Sequence, residues 1–434
     1  MVIASIDIQN GQAVQLRQGA KLALKRDDCV ALAREFDRYG EVAVIDLDAA
    51  MGRGSNLDAV KPLLHIAECR VGGGIRSAEQ ASELVSLGAK KIIVGSAAFR
   101  TERGFALNGD FLGALANAIG RERLIVAVDA RNGEIVVDGW KTPTGLKLIE
   151  TAKLVEKYAG ELLFTCVEKE GMLGGADTGL VKELRAAVSC LVTAAGGVST
   201  IEEIETLAAI GCDVQLGMAL YTGKIDLAEA FAVSINWKKA ADGLLPLIAQ
   251  SSDGQVLMTG FTGREALIET FRRGNVCFHS RTRDRLWMKG ENSGNTMKLL
   301  RLRADCDRDA LLAFVEPHGP VCHTGAWSCF ETGRRYTPQY LQEIIGQRLR
   351  DAPAGSYTAS LTGERVRRKV MEEAYEVCTA KTHDEVVWEA ADLLYHMTVL
   401  LSQENVKIQE VLDELDRRAF SRSSKNHVQT KKEA

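Results

Sequence analysis

Near-continuous apolar runs alternate with amphipathic stretches over the first 235 or so residues. IVAVDA (125–130), LLFTCV (162–167) and CLVTAAGG (190–197) lack the in-out alternation of a half-exposed strand. Strands covered on both faces of a parallel sheet read this way. Amphipathic stretches such as TIEEIETLAAIG (200–211) carry acids in the first turn and glycine at the end, the marks of a helix. Repeated β-α units of this kind predict a (β/α)8 barrel or a doubly wound sheet.

An internal repeat favours the barrel. IASIDIQNGQAV (3–14) aligns with IVAVDARNGEIV (125–136), pairing Asp7 with Asp129, Asn10 with Asn132 and Gly11 with Gly133. At almost the same offset Gly73-Gly74 meets Gly196-Gly197, and VGSAAF (94–99) meets LGMALY (216–221) one gap later. Paired matches at a near-constant offset indicate two half-barrels of about 120 residues.

The pattern changes after NWKKAADG (236–243), which reads as a linker. Five of the seven prolines lie beyond residue 245, and strand-like alternation dominates in GQVLMTGF, NVCFHS and TMKLLRLRAD. A second break at ETGRRYTPQY (331–340) precedes two strongly helix-periodic stretches, VRRKVMEEAYEVCTA (366–380) and HDEVVWEAADLLYHMTVLLS (383–402). The expected division is a barrel over 1–237, a mostly β domain over 242–332, an all-α domain over 338–420, and a tail over 421–434. The tail is expected to be solvated, with nucleic-acid contact as the lesser alternative.

Composition narrows the classes. The 434 residues carry a formal charge of −4 and no long basic stripe, a poor match to a nucleic-acid backbone. No apolar run reaches the roughly 18 residues of a membrane span, and the start MVIASIDIQNG lacks the features of a signal peptide. Ten cysteines without such a signal suggest the reducing cytosol. Seven of them (Cys29, Cys69, Cys166, Cys190, Cys212, Cys277 and Cys378) are scattered and read as small buried hydrophobes.

Asp7 and Asp129 end the first and fifth strands, so the repeat sets them opposite each other across the barrel mouth. Two carboxylates there can serve as acid and base if their surroundings separate their pKa values. Gly73, Gly74, Gly196 and Gly197, with Gly95, Ser96 and Gly217 after the next strands, would present backbone N–H groups to anions. A substrate with a phosphate at each end suits that symmetry. ASIDIQNGQAVQL, VIDLDAA, VGGGIRS, VDARNG with VDGW, AAGGVS and LGMALYTG resemble the barrel isomerase of histidine biosynthesis, which rearranges the aminoaldose ProFAR to the aminoketose PRFAR. The resemblance implies Asp7 as base, Asp129 as acid and Thr165 in support. Lys169-Glu170-Gly171, Ala195 and Met218 depart from the family pattern, and the first loop after Leu16 is short.

Asp305-Cys306-Asp307-Arg308-Asp309 alternates strictly. On an extended strand the three aspartates would share one face, where Mg²⁺ could neutralise them. Cys306, with Cys322 and Cys329 of GPVCHTGAWSCF (319–330), supplies three thiolates and leaves a fourth tetrahedral position for water, as in a catalytic zinc site. Such a zinc lowers the pKa of its water towards about 7. VLMTGF, SRTRDRLW, KGENSGN, DCDRD and GPVCHTGAWSCF closely resemble phosphoribosyl-AMP cyclohydrolase, which opens the purine ring. The resemblance implies Zn²⁺ on Cys306, Cys322 and Cys329, with Cys306 from a dimer partner, and Mg²⁺ on Asp305, Asp307 and Asp309. His323 is then the expected proton shuttle, with Arg281, Arg283 and Lys289 as phosphate contacts.

Glu373 with Glu376, and Glu389 with Asp392, are pairs three apart on two predicted helices, each sharing one helix face. Antiparallel packing would converge them on Mg²⁺, the usual escort of a polyphosphate, and neighbouring apolar residues suggest a bundle interior. DAPAGSYTASL, KVMEEAYEV and EAADLLYHMTVLL resemble phosphoribosyl-ATP pyrophosphohydrolase of the all-α MazG-like class, with Glu372 as a candidate base. Together the resemblances imply three consecutive steps of histidine biosynthesis on small phosphoribosyl nucleotides. The alternative is a bifunctional hydrolase with an inactive, ligand-binding or scaffolding barrel.

Overall fold

A computed structural model describes residues 1–17, 19, 21–101, 104–240, 242–331, 333–416 and 418. The expected tail, 421–434, lies outside the described residues. Eight parallel strands form the first unit: Val2–Gln9, Val42–Asp46, Cys69–Gly72, Lys91–Val94, Leu124–Ala127, Glu161–Thr165, Leu191–Ala195 and Asp213–Leu216. Each pairs with the next, and the eighth returns to the first in the register Val2↔Val214, closing the (β/α)8 barrel. The long apolar runs are explained by this closure. One face of each strand packs on the surrounding helices, and the other fills the barrel with Ile93, Ile125, Leu163 and Ala195. At the strand starts the barrel is plugged by charge. Arg70 is 2% exposed and pairs with Glu161 at 2.5 Å and with Glu41, while Lys91 reaches Glu161 at 3.0 Å.

Downstream, strands Leu245–Ser251, Val256–Thr262, Met297–Ala304 and Leu311–Pro317 form a four-stranded sheet, with the helix Arg264–Arg273 and the hairpin Cys277–Ser280/Arg285–Met288 beside it. Leu245–Ser251 alternates buried and half-buried along its length, so one face makes the core. That core continues into the barrel. Phe271 stacks on Tyr39 with ring centroids 4.2 Å apart and meets Phe231 edge-on at 5.2 Å. The expected linker is correspondingly not a free tether. Trp237 forms a short turn in it and donates its indole N–H to the Ala232 carbonyl at 2.7 Å.

The last unit is helical: Pro338–Asp351, Gly363–Thr379 and His383–Gln403. Its apolar core is small, built on Leu341, Ile345, Leu361, Val366 and Val399. The far half of the hairpin made by the last two helices stands open, leaving Met371, Tyr375, Val387 and Trp388 exposed. The cysteine expectation needs one correction here. Six of the seven scattered cysteines are buried, but Cys378 is exposed because it lies on this open end.

Candidate active sites

Four strand steps separate the first barrel strand from the fifth in either direction, so Asp7 and Asp129 stand on opposite sides of the mouth. Both line one cavity of about 280 Å³ together with Thr165, Gly73, Gly74, Gly95, Ser96, Gly196, Gly197 and Gly217. Gly73 and Gly196 have φ of 106° and 93°, and a Cβ on them would fall 2.1 Å from the Asp46 carbonyl and 2.7 Å from that of Cys166. Only glycine lets the chain pass the preceding loop so closely. The repeat is thus a repeat of backbone approach as well as of sequence.

Burial pushes the Asp7 carboxyl up to about 6, although the Ser5 hydroxyl donates to it at 2.6 Å. Asp129 is raised by the same cause, against hydrogen bonds from the Trp140 indole N–H at 2.8 Å and from Thr165. A third carboxylate faces them. Glu170 is pushed up to about 7 by burial and then by the charges of Asp7 and Asp129. The sequence marked Glu170 as a departure in residue type, but its place after the sixth strand was the signal that it faces the mouth. Gln15 Nε2 and Gln215 Oε1, also on this cavity, are buried without a hydrogen-bond partner, which leaves polar atoms for a polar ligand. The first loop is an antiparallel hairpin, Gln12–Arg17 with Lys21–Arg26, and Gly19 at its turn lies against the Trp140 ring.

In the middle unit the aspartates are not on a strand. The strand ends at Ala304, and residues 305–309 form a turn in which Arg308 has φ of 63°. Asp305 makes the turn possible by accepting the backbone N–H groups of Asp309 at 2.9 Å and Ala310 at 3.2 Å. The turn still gathers Asp305, Asp307 and Asp309, one carboxylate oxygen of each lying within 4.8 Å of the others. Cys322 and Cys329 are neighbours. The Thr324 hydroxyl donates to Cys322 Sγ at 3.1 Å and holds that thiol below its usual pKa, while burial raises Cys329. His323 Nδ1 lies 3.8 Å from Cys322 Sγ. Lys289 is buried beside both thiols, with its ammonium pKa lowered by burial. Arg281 lies over the Phe261 ring at 3.8 Å, and Arg283 is exposed on the same hairpin turn. Cys306 is exposed and joins no cluster of metal-binding groups among the described residues.

In the helical unit Glu373, Glu376 and Glu389 converge within 4.8 Å, with Asp392 close enough to raise Glu389. The expected bundle interior is corrected. Glu373 is buried, but Glu376 and Glu389 are half-exposed where the two helices meet. Glu372 stays outside the cluster, exposed and paired with Lys369 at 2.8 Å. The sequence reading missed His396. It is buried, 3.5 Å from Glu373 and 3.0 Å from the Tyr357 hydroxyl, and its spacing of four from Asp392 was the available signal.

Comparison with known proteins divides the chain in the same way. Residues 1–226 match the family model described as histidine biosynthesis protein, 258–331 that of phosphoribosyl-AMP cyclohydrolase, and 339–419 that of phosphoribosyl-ATP pyrophosphohydrolase. A histidine biosynthesis bifunctional protein HisIE of Vibrio vulnificus is 42% identical over 202 residues, covering 44% of this chain and 95% of the relative. The HisIE of Bacillus subtilis is 42% identical over 192 residues, covering 41% and 92%. That of Pyrococcus furiosus is 40% identical over 205 residues, covering 44% and 98%. A duplicated barrel fused to two metal-ready units therefore belongs, by the match over more than half its length, to the histidine biosynthesis protein family, and it carries the two HisIE-type segments in addition.

Proposed function

We propose that the three units act on consecutive phosphoribosyl nucleotides of histidine biosynthesis, at the sites described above. The chain is a phosphoribosyl-AMP cyclohydrolase and a phosphoribosyl-ATP pyrophosphohydrolase. The carrying observation is that each of these two matched segments gathers its own set of metal-binding side chains.

Three carboxylates within 4.8 Å suit a hard divalent cation, and paired thiols suit zinc. Cys322 and Cys329, with Cys306 of a second copy, would hold zinc, which supplies water ionised near neutral pH. Cys306 forms no three-ligand group with Cys322 and Cys329 within one chain among the described residues, which supports the homodimer. Lys289 and Arg281 would hold the substrate phosphate, with Arg283 beside them, and His323 would carry the proton. Asp305, Asp307 and Asp309 would hold Mg²⁺. So would Glu373, Glu376, Glu389 and Asp392, where the cation draws charge from a polyphosphate. No helix among the described residues is long and apolar enough to cross a membrane.

For the barrel the reading is isomerase, with Asp7 as base and Asp129 as acid, Thr165 supporting Asp129, and the glycine loops with Ser96 taking the two phosphates. A scaffold reading has one observation in its favour: the buried, apolar Met218 lines the cavity next to Gly217, where a cation could have faced a phosphate. The test is separate assay of the three reactions on the full chain, because Phe231 and Phe271 share one core and the barrel should not be cut away. Cys322→Ala should abolish ring opening alone, and Glu389→Gln pyrophosphate release alone. ProFAR bound but not turned over would leave the barrel a scaffold.

A further inference from the structure

The aspartate turn of the middle unit is tied to the barrel by two basic side chains. Arg308 sits among the aspartates in sequence but points the other way. Its guanidinium meets Asp213, at the start of the eighth barrel strand, at 2.6 Å, and approaches the carbonyls of Cys212 and Ser234 at 3.4 Å. Both partners are only about 15% exposed, so water screens the pair little. Arg308 also adopts φ of 63°, a conformation that costs energy for any residue with a Cβ. The chain holds it there by a second tie: Asn236 donates its backbone N–H to the Arg308 carbonyl at 3.0 Å and its side-chain N–H to that of Asp307 at 3.2 Å. Lys239, from the segment joining the units, comes from the other side. Its ammonium pairs with Asp307 and, at 3.1 Å, with Asp309, and all three side chains are substantially exposed. One tie is buried and durable, the other open to exchange.

We propose that the barrel's strand-start pole positions the aspartate turn for its divalent cation, with Arg308 anchoring the turn on Asp213 and Lys239 acting as a resident counter-ion that the arriving cation displaces. The proposal rests on the reading of Asp305, Asp307 and Asp309 as a cation site. It makes Arg308 a positioning residue and links the cyclohydrolase unit to the barrel whether or not the barrel is catalytic.

The test is titration of the full chain with Mn²⁺, followed by electron paramagnetic resonance, in a Glu376→Gln/Glu389→Gln background that disables the helical cluster. Lys239→Met should tighten Mn²⁺ binding about 2- to 5-fold at low salt, the scale of an exposed ion pair, and the gain should shrink as salt rises. Arg308→Gly separates anchoring from conformation: glycine relieves the backbone but drops the tie to Asp213. Weaker Mn²⁺ binding in Arg308→Gly, matched by Asp213→Asn and partly restored by Arg308→Lys, is the expected result. Unchanged or weaker binding in Lys239→Met, or wild-type binding in Arg308→Gly, overturns the proposal. Lys239 is a surface residue, so its arm holds even if Asp213→Asn fails to fold. Failure of the underlying site is read separately, as an Asp307→Asn chain that binds Mn²⁺ like its parent.

Discussion

The barrel mouth and the helical hairpin each gather three carboxylates, yet the two clusters are built for different chemistry. Asp7, Asp129 and Glu170 sit half-buried around the cavity at the barrel mouth, and none of them forms an ion pair among the described residues. Burial therefore raises all three, and protons are the available means of neutralising them. Glu373, Glu376 and Glu389 converge on an open flank that Lys369 and His396 approach from the protein. Their repulsion is relieved most fully by a cation from solution. On the proposed reading, the surroundings of the carboxylates, more than residue type, separate a proton-transfer site from a metal site.

The strongest way to break this contrast is to remove the proton carriers. Asp7→Asn and Asp129→Asn should each lower ProFAR turnover about 10²- to 10⁴-fold, the range for a general acid or base. Calorimetric ProFAR binding and both hydrolase rates should stay near wild type. Turnover unaffected by either change would mean that these acids do not move protons.

On the other side of the comparison, Glu389→Gln or Glu376→Gln should cut pyrophosphate release at least about 100-fold, more than is lost when a residue behind a metal ligand is changed. A chelator should do the same to the wild-type chain while leaving ligand binding by the barrel intact. Equal sensitivity of both would erase the distinction.

A smaller effect is expected in stability against pH. Glu170 binds its proton more tightly folded than unfolded, with a folded pKa of about 7 against about 4.5. Between these values the folded state holds more protons, so stability declines as pH rises through the window and levels off above it. Glu170→Gln should flatten that decline and add about 1–3 kcal/mol at pH 8, read by urea unfolding. An unchanged pH dependence would show that Glu170 is not held as described.

The smallest change tests the open flank itself. Tyr357→Phe removes the hydroxyl that meets His396 at 3.0 Å and should destabilise the helical unit by about 0.5–1.5 kcal/mol. A shift in hydrogen-exchange protection confined to the last two helices would confirm it; a spread into the barrel would not.

Much of the molecule was legible in local pattern. Apolar strand runs, the near-constant offset between Asp7 and Asp129, and acids three apart on helices are one-dimensional regularities. The first two determined the barrel and the opposition of its two aspartates, and the third marked two helical acid pairs. Where the reading went astray, neighbours distant in sequence decided. Strict alternation in Asp305–Asp309 implied a strand, but Asp213, Asn236 and Lys239 draw that segment into a turn against the barrel. The linker reading of 236–243 met the same obstacle, because Trp237 packs back on the last barrel helix. Glu170 and His396 are ordinary residue types, and their importance arises from the carboxylates they face. Periodicity follows from the repeating geometry of each chain segment, so the sequence by itself determined the elements and their order. Burial, charge coupling and the direction of a loop depend on which segments meet, and that only the tertiary structure decided.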